Sequence, residues 1–346
     1  MHSKRALKVF SSHLKQMSRD FTQAMPGSLG EAAIPKTVAV EGMMDAWVTE
    51  VFKTPPARRQ IEASSINPLD PQMTNGYGNE LLSNWAQLEN NSWNPLTFFT
   101  SQKLDRLPII TGRDFSGEIV QVGSKVRDYL PGDEIIGVVP AHWQGSHAEY
   151  CLAPLHGIAR KPISVGHVEA CAYAYTACTA WSALVTIARI NKNNAHNTRV
   201  LIHGGSGGVG STAIQLLKAW GVPKIVATCS AKNDEIMGIW RNCVHVSVIS
   251  PLLGDMDRYG VAMGVASTAA KLFCRSYKST LYGRWQSYAF FMPSAECLEE
   301  LSLLIDQKKI NPLIENIYGF SQLPEAYSKI GQSNGAGKMV IDHTKK

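Results

Sequence analysis

Residues 199–229 constrain the fold of this chain more than any other stretch. Arg199-Val-Leu-Ile-His203 is a short apolar run, and Gly204-Gly-Ser-Gly-Gly-Val-Gly210 follows it. Residues 211–220 then carry apolar side chains at helical spacing, Gly221 stops them, and Lys224-Ile-Val-Ala-Thr-Cys229 is a second apolar run. Strand, glycine turn, helix and strand in that order make a βαβ unit, which requires a parallel sheet. Gly205, Gly207 and Gly210 stand in G-x-G-x-x-G register: the first permits a tight turn, the second lets backbone approach a pyrophosphate, and the third lets helix and strand pack closely. The N-terminus of the helix offers N–H groups and a positive dipole end to phosphate. The spacing therefore predicts a dinucleotide turn over Gly205, Ser206, Gly207, Gly208, Val209 and Gly210; a glycine-rich turn without a ligand is the weaker reading.

The second strand also speaks to the cofactor. A site selective for NAD places Asp or Glu at its end, to bind the ribose 2′-hydroxyl. Here that place reads Cys229-Ser-Ala-Lys232. The hydroxyl of Ser230 and the cation of Lys232 suit a 2′-phosphate, which favours NADPH.

The 346 residues allow about two domains. Hydrophobic residues at 45% and charged ones at 18% point to a packed core rather than disorder. The net charge of +6 is modest and gives no sign of a nucleic-acid face. Its largest share lies at the front, where Lys4, Arg5, Lys8, Lys15, Arg19 and Lys36 face only Asp20 and Glu31. Leu7, Phe10, Leu14 and Met17 recur there at helical spacing, so residues 1–36 read as a mitochondrial presequence with the matrix as destination; a plain basic tail is the alternative. The seven cysteines are scattered, which fits a reducing compartment better than a disulfide framework. Ala170–Ala188 is the most apolar stretch, but its Tyr, Thr and Ser residues make it a buried helix rather than a transmembrane segment.

The N-terminal half is built of short β-rich pieces with paired turn glycines. They include Ile61-Glu-Ala-Ser-Ser-Ile-Asn67-Pro-Leu-Asp70, Gly76-Tyr77-Gly78, Gly112-Arg-Asp-Phe-Ser-Gly117, Pro131-Gly-Asp-Glu-Ile-Ile-Gly137 and Gly145-Ser-His-Ala-Glu-Tyr150. Together with the glycine turn, and with Asp255-Met-Asp-Arg-Tyr-Gly260, Ala289-Phe-Phe-Met292 and Gly337-Lys-Met-Val340, they resemble the zinc-free medium-chain dehydrogenase/reductases of the quinone oxidoreductase (zeta-crystallin) branch. The resemblance covers roughly residues 38–346. It implies an α/β fold: a GroES-like β-barrel catalytic domain (37–166 and 310–346) beside a Rossmann doubly wound parallel sheet (167–309), with the site in the cleft between them. It further implies a homodimer and, from the mitochondrial members it resembles, a protein partner such as a reticulon. Zinc-dependent relatives carry a Cys where this chain has Asn67 and Gly-His-Glu where it has Gly112-Arg113-Asp114, and no Cys/His cluster here has metal-ligand spacing, so no metal is expected.

Hydride delivery to a quinone or to the β-carbon of an enone leaves negative charge on an oxygen, which needs a donor or a proton. Tyr77, between two glycines, is the first candidate. Enoyl-thioester reductases of the same superfamily have a similar Asn-Pro-x-Asp stretch leading to a Tyr-Gly, in which the tyrosine donates the proton. Asn67 would hold ribose or nicotinamide and Asp70 would brace its turn, although Asn-Pro favours turns in any case. Ala289, Phe290, Phe291 and Met292 would pass beside the nicotinamide. His203 reads as a structural strand-end histidine. Arg113 and Asp114 read as a surface or inter-strand pair, and, within residues 79–108, the polar, turn-like Asn90–Pro95 reads as a loop between two barrel strands.

One feature departs from the family. After Lys232 the pattern expects one to two further βα units, roughly 45 residues, yet this chain runs almost directly into Val244-His-Val-Ser-Val-Ile249. A six-stranded sheet cannot be completed from what remains, so the Rossmann domain is expected to be shortened. That leaves three functions in play: a quinone-type NADPH oxidoreductase, a 2-enoyl thioester reductase, and a non-catalytic binding protein on a reductase scaffold.

Overall fold

The structure is a computed structural model. It describes residues 36–37, 47–49, 59–89, 109–123, 126–228, 243–280, 283, 285–330 and 337–345. The basic N-terminal segment, Asn90–Pro95, Ser230 and Lys232 lie outside the described residues.

All but one pair of the short apolar pieces are antiparallel strands. β1 (Lys36–Thr37), β2 (Trp47–Thr49) and β4 (Ile109–Ile110) form one small sheet. The larger sheet has six strands: β3 (Arg59–Ile66), β5 (Asp114–Ile119), β6 (Glu134–Val138), β7 (Ile158–Arg160), β12 (Ile314–Gly319) and β13 (Lys338–Asp342). Their order is β12-β13-β3-β5-β6-β7, so the last strand returns to pair antiparallel with β3, Met339 opposite Ile66 and Asp342 opposite Ala63, and β12 runs parallel to β13 at the edge. Phe115, Ile119, Ile135 and Ile158 fill the interior between strands. Helices α1 (Leu69–Thr74) and α2 (Asn79–Glu89) follow β3. Asn79–Glu89 is helical because Leu81, Leu82, Trp85 and Leu88 recur at helical spacing and no proline interrupts them.

The apolar stretch after residue 166 forms α3 (His167–Cys171), α4 (Ala174–Trp181) and a π-turn over Ser182–Ile187. By length and apolarity this stretch could cross a membrane, but 67% of its most apolar window is buried inside the molecule. It packs with Leu216 and Leu217 of α5 (Gly208–Ala219) and with Leu298 and Leu301 of α8 (Ala295–Asp306), against Ala63, Val138 and Val340 of the six-stranded sheet. One core thus serves both halves of the molecule.

The predicted βαβ unit is present: β8 (Arg199–His203) and β9 (Lys224–Thr228) are parallel, with α5 between them. A second parallel pair joins β10 (Val244–Ser247) to β11 (Trp285–Tyr288), with α6 (Leu252–Tyr259) and α7 (Val261–Thr280) between them. Among the described residues the two pairs do not hydrogen-bond to each other, so the parallel sheet is split. Only residues 229–243 lie between β9 and β10, too few for the one to two further βα units the family pattern expects there. Strands that a complete doubly wound sheet would bury are half-exposed, and Val226 and Val244 keep 42% and 49% of their surface in solvent.

Candidate active site at the junction of the two halves

The end of β3 delivers Ser65, Ile66 and Asn67 to the junction. Asn67 donates its N–H to Asp70 Oδ2 at 2.7 Å, and Asp70 Oδ1 accepts from Gly112 N–H at 3.0 Å. Asp70 thereby ties the Asn-Pro turn to the connection between β4 and β5. Asp114 accepts from Ser65 Oγ at 2.7 Å and from the N–H groups of Ser65 (3.1 Å) and Tyr175 (3.3 Å). Lys338, on β13, donates from Nζ to Asn67 Oδ1 at 2.6 Å and to the Ile66 carbonyl at 2.8 Å. Asn67, Asp70, Arg113, Asp114 and Lys338 are all buried.

Buried charges persist only when paired and hydrogen-bonded. Burial raises the Asp70 and Asp114 carboxyls above their ordinary values; Arg113 and Lys338 pull the first back, and Lys338 with Ser65 the second. Burial lowers Lys338, and Asp114 and Asp70 oppose that shift. Two carboxylates and two cations therefore balance. Arg113 and Asp114 do not form the surface or inter-strand pair expected of them. Asp114 opens β5 and Arg113 stands directly before it, and both are fully enclosed. Arg113 donates to the carbonyls of Ile110, Pro140 and Trp143, each at 2.9 Å, so a guanidinium fills the place where zinc-dependent relatives have a histidine.

The glycine turn meets this network. Gly204 has φ of +75°, so the residue in the left-handed region is Gly204, one before the first glycine of the expected register. A side chain on Gly210 would strike the Gly204 carbonyl, which is why the third glycine is needed. A Cβ on Gly208 would lie 3.0 Å from Thr176 and 3.1 Å from Lys338 Cδ, so Lys338 runs from the glycine turn to Asn67. Gly207 precedes the first turn of α5, and no side chain caps it. Gly205 and Gly210 are buried, Ser206 and Gly207 exposed, and Gly208 and Val209 half-buried. The turn thus keeps a glycine-lined backbone approach at an uncapped helix N-terminus, which fits the pyrophosphate of a dinucleotide.

Tyr77 lies between Gly76 and Gly78, both at positive φ, on the loop joining α1 to α2. It is half-buried against α6, where a Cβ on Gly254 would stand 3.8 Å from its ring. Asp257 of α6 accepts from Gly78 N–H at 2.6 Å and Glu80 N–H at 3.1 Å, capping α2 and fixing the Tyr77 loop. Burial, and then the Asp257 charge, raise the Tyr77 hydroxyl above the ordinary phenol value. Among the described residues the hydrogen-bond network around Asn67 does not include Tyr77. Of the 289–292 stretch, Ala289 is buried, Phe290 and Met292 are exposed, and Phe291 stacks on Tyr175 with centroids 4.2 Å apart. His203 meets Thr228 Oγ1 at 3.3 Å, a strand-to-strand contact.

Lys338, Asp114, Tyr175 and Asp257 were not singled out by sequence reasoning as parts of the site. A signal existed for Lys338: a lysine inside an apolar strand, Lys-Met-Val-Ile, is buried only with a partner. No comparable signal marked Asp257, which acts by capping a helix distant in sequence.

Two family models match, "Alcohol dehydrogenase GroES-like domain" over residues 60–188 and "Zinc-binding dehydrogenase" over residues 243–341. The chain is 41% identical to mitochondrial reticulon-4-interacting protein 1 of Caenorhabditis elegans, over 82% of this chain and 87% of that one. It is 31% identical to the human mitochondrial NAD(P)H oxidoreductase RTN4IP1, over 82% of this chain and 80% of that one. The nematode match spans 328 aligned positions, whereas 82% of the 346 residues is about 284, so about 44 positions have no counterpart here. That is the size of the expected deletion. Among solved structures, a quinone oxidoreductase from Coxiella burnetii shares the fold with a TM-score of 0.59 at 22% identity, over 84% of this chain and 93% of that one. On the strength of these relatives and of the fold, the chain belongs to the medium-chain dehydrogenase/reductase superfamily and, within it, to the family of the RTN4IP1 NAD(P)H oxidoreductases.

Proposed function

We propose that this protein is a zinc-independent, NADPH-dependent oxidoreductase of mitochondria that reduces a quinone or enone-type substrate. The observation that carries the reading is the meeting of the glycine turn with Lys338 and Asn67. That meeting puts a pyrophosphate cradle beside a rigid, charge-balanced polar cluster. A bound nicotinamide nucleotide would supply hydride. The backbone of Gly205–Gly210 would hold its phosphates, and Ser230 and Lys232 would take the 2′-phosphate. Asn67, held by Lys338 and braced through Asp70, would present its amide to the ribose or nicotinamide. Ala289–Met292, backed by the Tyr175–Phe291 stack, would exclude water from one side. Tyr77 would give its proton to the oxygen or carbon that develops negative charge, and its raised pKa keeps that proton on the hydroxyl at neutral pH. The relatives' names support the mitochondrial address and a protein partner such as a reticulon. A matrix location and a homodimer belong to the same proposal.

The split sheet favours a second reading, a non-catalytic binding protein on a reductase scaffold, because the absent segment would border the nucleotide pocket. Titration of the purified chain with NADPH and NADH, followed by nicotinamide fluorescence, separates the two. Tight NADPH and weak NADH binding supports the oxidoreductase, and assays with short quinones and with enoyl-CoA then follow; loss of only the enoyl activity in Tyr77→Phe would identify a 2-enoyl thioester reductase. No nucleotide binding by a folded chain would leave the binding protein standing.

A further inference from the structure

Helix α2 begins between two carboxyls in unlike surroundings. Asp257, from α6, accepts from the N–H of Gly78 at 2.6 Å, from that of Glu80 at 3.1 Å and from that of Asn79. It takes the free donors at the start of the helix and so has what a carboxylate needs. Glu80 has no such support. It is 5% exposed, and its Oε2 is enclosed with no hydrogen-bond partner. Burial, and then the Asp257 charge, raise its carboxyl above the ordinary value. A buried carboxylate without a donor, beside a second carboxylate, is costly, so the proton of the pair resides on Glu80. Burial raises Asp257 as well, against the pull of its N–H donors, which makes it a readier proton acceptor than an ordinary aspartate. Helix capping does not account for Glu80, because Asp257 already satisfies the N–H groups. What adjoins the pair is Tyr77. Gly254 and Asp257 stand one turn apart on α6, the first against the Tyr77 ring and the second on the amide of Gly78. The Asp257 charge acts on both the Tyr77 hydroxyl and the Glu80 carboxyl. The other charged groups of α6 are engaged elsewhere: Asp255 holds Lys271 and Thr268 of α7, and Arg258 lies over the ring of Tyr259.

We propose that Glu80, acting through Asp257, stores the proton that recharges Tyr77 after each turnover. This rests on the reading of Tyr77 as the proton donor. When the Tyr77 O–H bond breaks, its proton goes to the substrate atom that has gained negative charge, and a phenolate remains. That phenolate stands near the Asp257 carboxylate, where like charges repel. Glu80 gives its proton to Asp257, Asp257 gives it on to the phenolate, and Glu80 takes a new one from water. Hydroxyl, carboxylate and acid are all restored, and one solvent proton is consumed per turnover. Two carboxyls whose surroundings differ divide the work of acid and relay between them.

Steady-state reduction by the full chain with NADPH, using a short quinone and an enoyl-CoA as probes, tests this. Glu80→Gln keeps the size of the side chain, breaks no hydrogen bond of Oε2 and cannot hold the proton. Its circular dichroism and KM should match the parent, whereas kcat should fall about tenfold or more. In the parent, kcat should decline as pH rises through the range in which Glu80 loses its proton, and Glu80→Gln should lack that limb; a merely structural role would leave the pH profile alone. Infrared spectra at neutral pH add a readout that needs no turnover: the carbonyl band of a protonated carboxylic acid, present in the parent and missing from Glu80→Gln. Parent-like kcat and pH profile in Glu80→Gln, or no such band in the parent, would overturn the proposal. A parent that turns over neither probe, or a Tyr77→Phe variant as active as the parent, would remove the reading beneath it as well. An impaired Tyr77→Phe beside a fully active Glu80→Gln would sink the proton store alone.

Discussion

At the scale of single residues, Lys338 holds the site together. Its ammonium is the donor for Asn67 Oδ1 and the cation that offsets Asp114 and Asp70. Lys338→Met would leave two enclosed carboxylates with less compensation and a buried amide oxygen without its donor. A loss of about 3–5 kcal/mol in unfolding free energy by urea titration is expected. Burial also sets an acid limit. His147 is enclosed and His343 half-buried, and desolvation holds both neutral, each pushed down from 6.5 to about 3. Unfolded, both would take up a proton near 6.5; folded, they do so only near 3. Their contribution to stability is therefore complete above pH 6.5 and is lost as pH falls toward 3. Melting temperatures measured across that window should fall steadily, and His343→Gln should flatten the slope.

At the scale of elements, the contact between α6 and α2 is the informative one. Asp257 accepts from the first N–H groups of α2 across 177 residues of sequence, and in doing so aims the Tyr77 loop. Asp257→Ala should cost about 1–2 kcal/mol, as for other lost helix caps. Amide hydrogen exchange should quicken at residues 78–82 while the six-stranded sheet stays protected. Equal exchange in both proteins would mean that the loop is fixed by other contacts.

At the scale of the whole molecule, the split parallel sheet dominates. β8 and β10 each have one hydrogen-bonded neighbour among the described strands, which leaves edges that a complete doubly wound sheet would not have. Inserting the corresponding segment of the nematode relative between Lys232 and Asn242 should close the sheet. The expected readouts are a higher melting temperature, slowed amide exchange in Arg199–His203, and tighter NADPH binding in the fluorescence titration. An unchanged melting temperature would mean that the existing core, shared by α3, α4, α5 and α8, already carries the stability.

The residues that announce themselves locally were legible without a structure. The glycine turn, β8, α5 and β9 follow from periodicity and from glycines that short-range sterics demand. The deletion could be seen because a strand pattern arrived one or two units early. The turn role of Asp70 followed from Asn-Pro chemistry alone. What sequence could not settle depends on long-range packing. Arg113 and Asp114 look like surface residues in any local window, and only the closure of β5 between β3 and β6 encloses them. Lys338 meets Asn67 across 271 residues because β13 returns to β3, and Asp257 reaches Tyr77's loop because α6 packs beside α2. Local patterning determined which elements form, since backbone geometry and side-chain periodicity act over a few residues. Tertiary structure decided which charges are buried and paired, because desolvation and pairing depend on neighbours supplied by distant parts of the chain.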